Sequence, residues 1–392
     1  MAFGRTLRSE WLLDPDLVYL NHPTVGATPR VVLEAQRAIQ NEAERNPSRF
    51  LLREQTDHAV GAWRPAQSRL RAAAEPVAAF IGARPADLVF VDNTTTGANG
   101  VLRSFPFQPG DEILVSDLGY GGVTRAAAYA ARERGATLRT VTIPVPFEAD
   151  AIVAAFEQAV GPRTTLAVVD HIAAEAAIVM PLAAIAARLR ARGVAVLGDG
   201  AHAPGSIPLD VPALGVDWYV GNLHKWAFVP RSSAFLWTTP ERQSSTHPAV
   251  ISWGLDEGYT IEFDLPGTRD ASPHLAAPAA LAFIDRLGGI AAVHKYSHDL
   301  VLEGAHLLVE RWGTALRSPA SMVGAMASVT LPASLGSTVE DGGRLRDALL
   351  FEDGIEVAVS AAHGRLHTRV SAAVYNDLAD FERLAEAVRR RS

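Results

Sequence analysis

The chain has 392 residues, with 36 Lys plus Arg against 43 Asp plus Glu; the formal net charge of −7 opposes a general nucleic-acid binder. Its hydrophobic fraction of 48% is that of a globular protein, and no apolar run nears the ~20 residues of a membrane span. With no cysteine, disulfides, thiolate metal ligands and cysteine nucleophiles are excluded. The expected partners are therefore small molecules, with no metal, nucleic acid or membrane.

Residues 1–8 carry no hydrophobic block after their basic residues, so a cytoplasmic chain is expected. Val18-Tyr19-Leu20 reads as a short strand running into the loop from Asn21 to Pro29. A helix over 29–44 follows, with Thr28 as N-cap and proline in its first turn. A second helical stretch spans 56–81, where Pro65 and Pro76 mark kinks or breaks.

From residue 88 the pattern changes to short β-branched strands alternating with alanine-rich helices, with strands expected at 88–91, 112–115, 138–143, 165–169, 194–197, 218–220 and 234–237. Such alternation predicts an α/β fold with a mostly parallel sheet between helices, whose ligands bind beyond the carboxyl ends of the strands. The Gly, Asp and Pro-rich segment 251–274 reads as a functional loop crossing between domains. Beyond it come helices over 273–287 and 290–312, strands at 327–331, 355–359 and 367–370, and helices near 344–351 and 376–390. The length and the change of pattern predict a large domain over 51–265 and a smaller α+β domain over 266–392, with segment 1–50 contributing to the small domain and the substrate site.

Several expected strand ends carry complementary polar groups. After Val91 comes Asp92-Asn93-Thr94-Thr95-Thr96, a hydroxyl-rich turn opening a helix. Such a turn either caps the helix or holds a phosphate on free N–H groups and the Thr95 and Thr96 hydroxyls. Tyr120, in a glycine-rich turn after the strand at 112–115, is placed to stack on a planar ring or simply to pack. Asp199 directly follows the apolar run Val194 to Gly198.

Lys225 ends the apolar strand at 218–220 in the run Gly221-Asn222-Leu223-His224-Lys225-Trp226, and Lys295 is the only other lysine among the 36 basic side chains. An arginine cannot form an imine, whereas a partly desolvated lysine serves as a Schiff-base nucleophile. Lysine, aspartate and phosphate turn together match pyridoxal 5'-phosphate, which needs an imine-forming amine and an acid at its pyridine nitrogen. Arg369, at the end of a small-domain strand, is placed to hold a carboxylate through two parallel hydrogen bonds.

In order and context these motifs resemble the fold-type I, pyridoxal-phosphate-dependent enzymes of the class V aminotransferase superfamily, and within it the isopenicillin N epimerase-like group. The resemblance runs through Leu20-Asn21-His22, Asn93-Thr94-Thr95, Asp170-His171-Ile172, Asp199-Gly200-Ala201-His202, the Lys225 run, Ser252-Trp253-Gly254, Gly267-Thr268-Arg269-Asp270 and Arg369-Val370-Ser371. It implies a large domain with a seven-stranded, mostly parallel sheet, Lys225 as the cofactor lysine, Asp199 at the pyridine nitrogen and His202 near the phenolic oxygen. It implies Thr95, Thr96 and His224 at the phosphate, Tyr120 in the stacking position, and Asn21, His22, His171, Glu175 and Arg369 on the substrate side, with Arg369 on the α-carboxylate. A homodimer is implied too, with Trp253 and Thr268 reaching the partner's cofactor. Departures fall in the substrate loops, where Pro23-Thr24 and Ala173-Ala174-Glu175 replace the group's usual residues, and in Pro230-Arg231-Ser232-Ser233, which lacks an expected glycine.

Persulfide-forming cysteine desulfuration needs a protein thiol, which this chain lacks. The expected reaction is lyase or decarboxylative deaminase chemistry on an S-substituted cysteine conjugate of natural-product metabolism. Epimerisation of the isopenicillin N type, with His22, Tyr120 or Glu175 as second acid, is the alternative, followed by transamination. A non-catalytic binding protein on the same fold is the reading from another class.

Overall fold

The computed structural model describes residues 3–58, 63 and 65–392. Its strands are β1 (Val18–Tyr19), β2 (Leu88–Val91), β3 (Glu112–Ser116), β4 (Thr137–Val141), β5 (Thr164–Asp170), β6 (Ile172–Ala173), β7 (Ile178–Val179), β8 (Ala195–Asp199), β9 (Trp218–Asn222), β10 (Ala234–Thr238), β11 (Met326–Thr330), β12 (Ile355–Glu356), β13 (Ala358–Ala362) and β14 (Arg365–Ser371). A seven-stranded sheet has the order β2-β10-β9-β8-β5-β3-β4. Strand β10 runs antiparallel to both its neighbours, and the pairs from β9 to β4 are parallel. The mostly parallel α/β expectation therefore holds.

Alternation along the strands divides the core. Leu88 and Phe90 join Leu70, Phe156 and Ile185 on one face of the sheet, whereas Val89 and Val91 join Val101, Leu102 and Val123 on the other. Burial on both faces explains why these strands read as continuous apolar runs. Since the parallel strands share one direction, their carboxyl ends present Asp170, Asp199 and Asn222 at one edge, beside the turn that follows β2.

A third core joins β1, β12, the sheet β11-β14-β13 and the helices Gly289–Trp312, Val339–Asp353 and Leu378–Arg389. The segment before Arg30 sends Val18 and Leu20 into this core. Within the range expected for the small domain, Ala277, Ala280, Phe283 and Ile284 lie in the same core cluster as one face of the large sheet. Just beyond them, at Gly288 and Gly289, both at positive φ, the chain bends by 69°. Their left-handed backbone is a conformation glycine adopts without Cβ strain.

Local departures have local causes. The helix expected over 56–81 is Arg69–Phe80, begun where the Ser68 side chain accepts from the Arg71 N–H; residues 59–62 and 64 of that stretch lie outside the described residues. Pro76 sits inside the helix without ending it. Helix Arg30–Arg45 starts one residue later than expected, with Pro29 rather than Thr28 at the N-cap. Segment 251–274 contains the helix Tyr259–Asp264, anchored by a buried 2.6 Å ion pair from Arg71 to Asp264.

Candidate active site

Lys225 follows β9, five buried residues, and is held by its backbone. The Leu223 and His224 N–H groups both donate to the Ser233 carbonyl, and Val229 N–H donates to that of Leu223. Phe228 and Ser232 take positive φ in this turn, so Ser232 occupies the left-handed position at which the sequence lacks glycine. From behind, His22 Nε2 lies 2.8 Å from the Lys225 carbonyl oxygen. A Cβ on Gly26 would stand 1.9 Å from the His224 carbonyl oxygen, so only glycine lets the N-terminal segment press this close.

The Lys225 amine projects into a cavity of about 460 Å³ at the carboxyl edge of the sheet, lined by Thr24, Thr95, Thr96, Tyr120, Asp170 and His202 among others. Its Nζ is 3.2 Å from His202 Nε2. Burial pulls the Lys225 pKa down to about 8, helped by the Arg369 cation and opposed by Asp199. Burial, with the nearby Lys225 charge, holds His202 well below the usual imidazole range, so the ring is neutral and accepts from Lys225.

Asp199 accepts the Ala201 N–H on Oδ1 at 3.0 Å, while its buried Oδ2 has no partner. Asp170 is its register partner on β5 and accepts the Tyr120 N–H at 3.2 Å. Burial raises both carboxyls, and the Asp199 charge raises Asp170 well above its usual range. The negative charge therefore settles on Asp199, which faces the Lys225 cation.

On the opposite wall, helix Thr94–Ser104 points its N-terminus at the cavity. Asn93 caps it through a 2.9 Å bond from the Thr96 N–H, and Asn222 Oδ1 accepts the Thr94 N–H at 3.0 Å. With an asparagine as cap, the threonines are not needed for that task, and the Thr95 side of the first turn is left for an anion. His224 lines the same end, its Nδ1 at 3.0 Å from the Ser233 carbonyl oxygen.

Not every expected residue meets the cavity. Asn21 does not line it, but holds Arg369, which gives Nη2 to Asn21 Oδ1 at 2.9 Å and to Thr24 Oγ1 at 2.7 Å, and Nη1 to the Ala174 carbonyl at 3.0 Å. Arg369 thus stands directly behind the lining residues Thr24 and Ala174. His22 is corrected as a substrate-side residue: it is fully buried, with Nδ1 2.7 Å from Tyr375 Oη and Nε2 at the Lys225 carbonyl. Likewise His171 is buried behind the sheet edge, its Nδ1 2.8 Å from Tyr219 Oη, and burial pulls its pKa to about 4. Glu175, Trp253 and Thr268 are outside the cavity wall; Glu175 and Trp253 are exposed, and Thr268 lines a neighbouring pocket with Thr96. Asp170, Asn222 and Thr24 belong to the site without having been singled out for it; their signal is a polar residue at the end of an apolar strand, or a departure in a substrate loop.

The donor set fits pyridoxal 5'-phosphate. Asp199 Oδ2 is a buried carboxylate oxygen lacking a partner, the Lys225 amine is tuned toward neutrality, and the lining includes a helix N-terminus whose threonines carry hydroxyls, that of Thr96 now given to Asn93 Oδ1 at 3.2 Å. A protein-family model, Aminotransferase class-V, matches residues 18–384. The chain is 34% identical to a putative L-cysteine desulfhydrase 1 of Oryza sativa subsp. japonica, covering 95% of this chain and 82% of the relative. It is 32% identical to isopenicillin N epimerase of Streptomyces clavuligerus, covering 97% and 96%. A solved complex of the cystine C-S lyase C-DES with cysteine persulfide shares the fold, with a TM-score of 0.78, 23% identity and coverage of 95% and 97%. The chain belongs to the class-V aminotransferase family, whose members are pyridoxal-phosphate-dependent.

Proposed function

We propose that this class-V family enzyme is a lyase that breaks the bond between the β-carbon and sulfur of cysteine or an S-substituted cysteine. The observation that carries this reading is the Lys225 amine, set between neutral His202 and anionic Asp199, in a chain without a cysteine to receive sulfur. Relatives named as cysteine desulfhydrases support the substrate class.

When bound, pyridoxal phosphate supplies the electron sink that makes the substrate α-hydrogen acidic. Thr95, Thr96 and His224 would hold its phosphate, Asp199 its ring nitrogen and Tyr120 the outer face of its ring. Arg369 would take the substrate α-carboxylate on the guanidinium nitrogens that now bond Thr24 and Ala174. Lys225, with its pKa lowered to about 8, has at physiological pH a neutral fraction far above that of an ordinary lysine, and in that form accepts the α-proton. Expulsion of the sulfur from the β-carbon follows. In balance, an S-substituted cysteine and water give a thiol, pyruvate and ammonium.

A second copy would complete the site. The exposed apolar run Val250, Ile251, Trp253 and Leu255, in which Trp253 is 81% exposed, supports a homodimer in which Trp253 and Thr268 approach the partner's cofactor.

Incubation with L-cysteine and S-methyl-L-cysteine should release pyruvate and ammonium in equal amounts. Racemised amino acid without pyruvate would instead establish the epimerase reading, which the Streptomyces relative supports. For that reading the buried His22 drops out as the second acid, leaving Tyr120 at the cavity wall and Glu175 outside it.

A further inference from the structure

Arg369 makes its hydrogen bonds to neutral oxygens, those of Asn21, Thr24 and Ala174, and forms no direct ion pair among the described residues. Its Nε is buried without a partner, and burial lowers its pKa to about 10. The carboxylate whose charge acts on it is that of exposed Glu175, which makes no direct ion pair with it; a carboxylate in direct contact would fill the fork that substrate must use. Glu356 reaches Arg369 only through the Asn21 amide. This half-buried residue of β12 accepts the Asn21 Nδ2 hydrogen at 2.7 Å, while Asn21 Oδ1 faces Arg369. The parallel pairing of β1 with β12 sets Glu356 beside Tyr19, two residues before Asn21.

We propose that Glu356 is a positioning residue for substrate binding: it fixes the Asn21 amide with its oxygen toward Arg369, so that the guanidinium is held in place by neutral oxygens that the α-carboxylate can displace or join. The amide has only one productive orientation. Flipped, its NH₂ would meet guanidinium donors and its oxygen would meet the Glu356 carboxylate, so both contacts would be lost. Thr24 completes the arrangement, donating its hydroxyl to Asn21 Oδ1 at 2.6 Å while accepting from Arg369.

This rests on the reading of Arg369 as carboxylate anchor, and the test separates the two. Binding of L-alanine and of ethylamine, which lacks the carboxylate, is measured on the cofactor-loaded enzyme by the shift of cofactor absorbance. Glu356→Leu should raise the Kd of L-alanine roughly tenfold and leave that of ethylamine unchanged. Glu356→Gln, which keeps an acceptor oxygen, should restore most of the affinity. Asn21→Asp, placing a carboxylate directly on Arg369, should weaken L-alanine more than Glu356→Leu does. If Glu356→Leu changes neither ligand, or both equally, the proposal is overturned. If Arg369→Leu itself leaves L-alanine binding intact, the carboxylate reading falls; if it abolishes that binding while Glu356→Leu has no effect, only the Glu356 inference falls.

Discussion

Asp170 and Asp199 are adjacent carboxyls at the ends of neighbouring strands, and their environments divide their roles. Burial raises both, but Asp199 has the Lys225 cation near it, whereas Asp170 feels the Asp199 charge. Two close acids in one dry site do not both ionise. Asp170→Asn replaces a neutral acid with a neutral amide that still accepts the Tyr120 N–H, whereas Asp199→Asn removes the anion proposed to meet the cofactor's ring nitrogen. Kinetics of purified variants should therefore show Asp199→Asn losing about 10²-fold or more in kcat, and Asp170→Asn at least about tenfold less than that. Lys225 gives a pH test. Its amine must lose a proton before it attacks the cofactor aldehyde, and its pKa is lowered from 10.5 to about 8. Uptake of pyridoxal phosphate by the apoenzyme should thus accelerate as pH rises through about 8, rather than only above 10. Because the Arg369 charge contributes to the lowering, Arg369→Leu should move that midpoint upward. At this scale the sequence made the lysine legible through its rarity, and Asp199 through its place after an apolar strand. His22 was misplaced because a histidine beside a motif looks the same whether its ring faces the cavity or the back of the lysine turn.

Strand β9 and helix Thr94–Ser104 are separate in the sequence but joined by one side chain. Asn222, at the last position of the strand that leads to Lys225, accepts the Thr94 N–H at 3.0 Å and so ties the amine to the anion-binding turn. Asn222 is buried, and removing its oxygen leaves the Thr94 donor without a protein partner, a cost of about 1–3 kcal/mol. Asn222→Ala should therefore weaken cofactor binding about fivefold to a hundredfold, measured by titrating apoenzyme with pyridoxal phosphate. Borohydride reduction should still fix the cofactor on Lys225, since the lysine turn is held by Leu223, His224 and Val229. Strand positions were legible from β-branched apolar runs, because a sheet buried on both faces admits few other residues. What the sequence concealed is contact between distant elements: nothing in Asn222 names Thr94 as its partner, and nothing in Ala277 to Arg286 shows that this helix packs against the helices Arg30–Arg45 and Arg69–Phe80.

Across the whole molecule, the cavity is walled by the strand ends and turns of the large sheet and by Thr24 of the N-terminal segment, and Arg369 of the small-domain sheet stands behind Thr24 and Ala174. Arg369 rests on Asn21, Thr24 and Ala174, so the relative placement of the two cores sets its distance from the Lys225 amine. Tyr120, on the cavity wall, is 48% exposed, and Trp253, outside that wall, is 81% exposed. Desolvating such residues in a second copy would bury apolar surface and close the cavity toward solvent at once. A mixing experiment tests whether Trp253 and Thr268 act on the partner's site. Lys225→Ala disables the site to which its own chain supplies the amine; combined Trp253→Ala and Thr268→Ala would disable the site across the interface. In a dimer carrying one chain of each kind, both lesions fall on the same site and the other site is intact. Co-refolding equal amounts of the two inactive proteins gives half mixed dimers by statistics, and hence about a quarter of wild-type activity. If Trp253 and Thr268 instead serve their own chain's cavity, each mixed dimer carries one lesion in each site and the mixture stays inactive, while light scattering still reports the dimer.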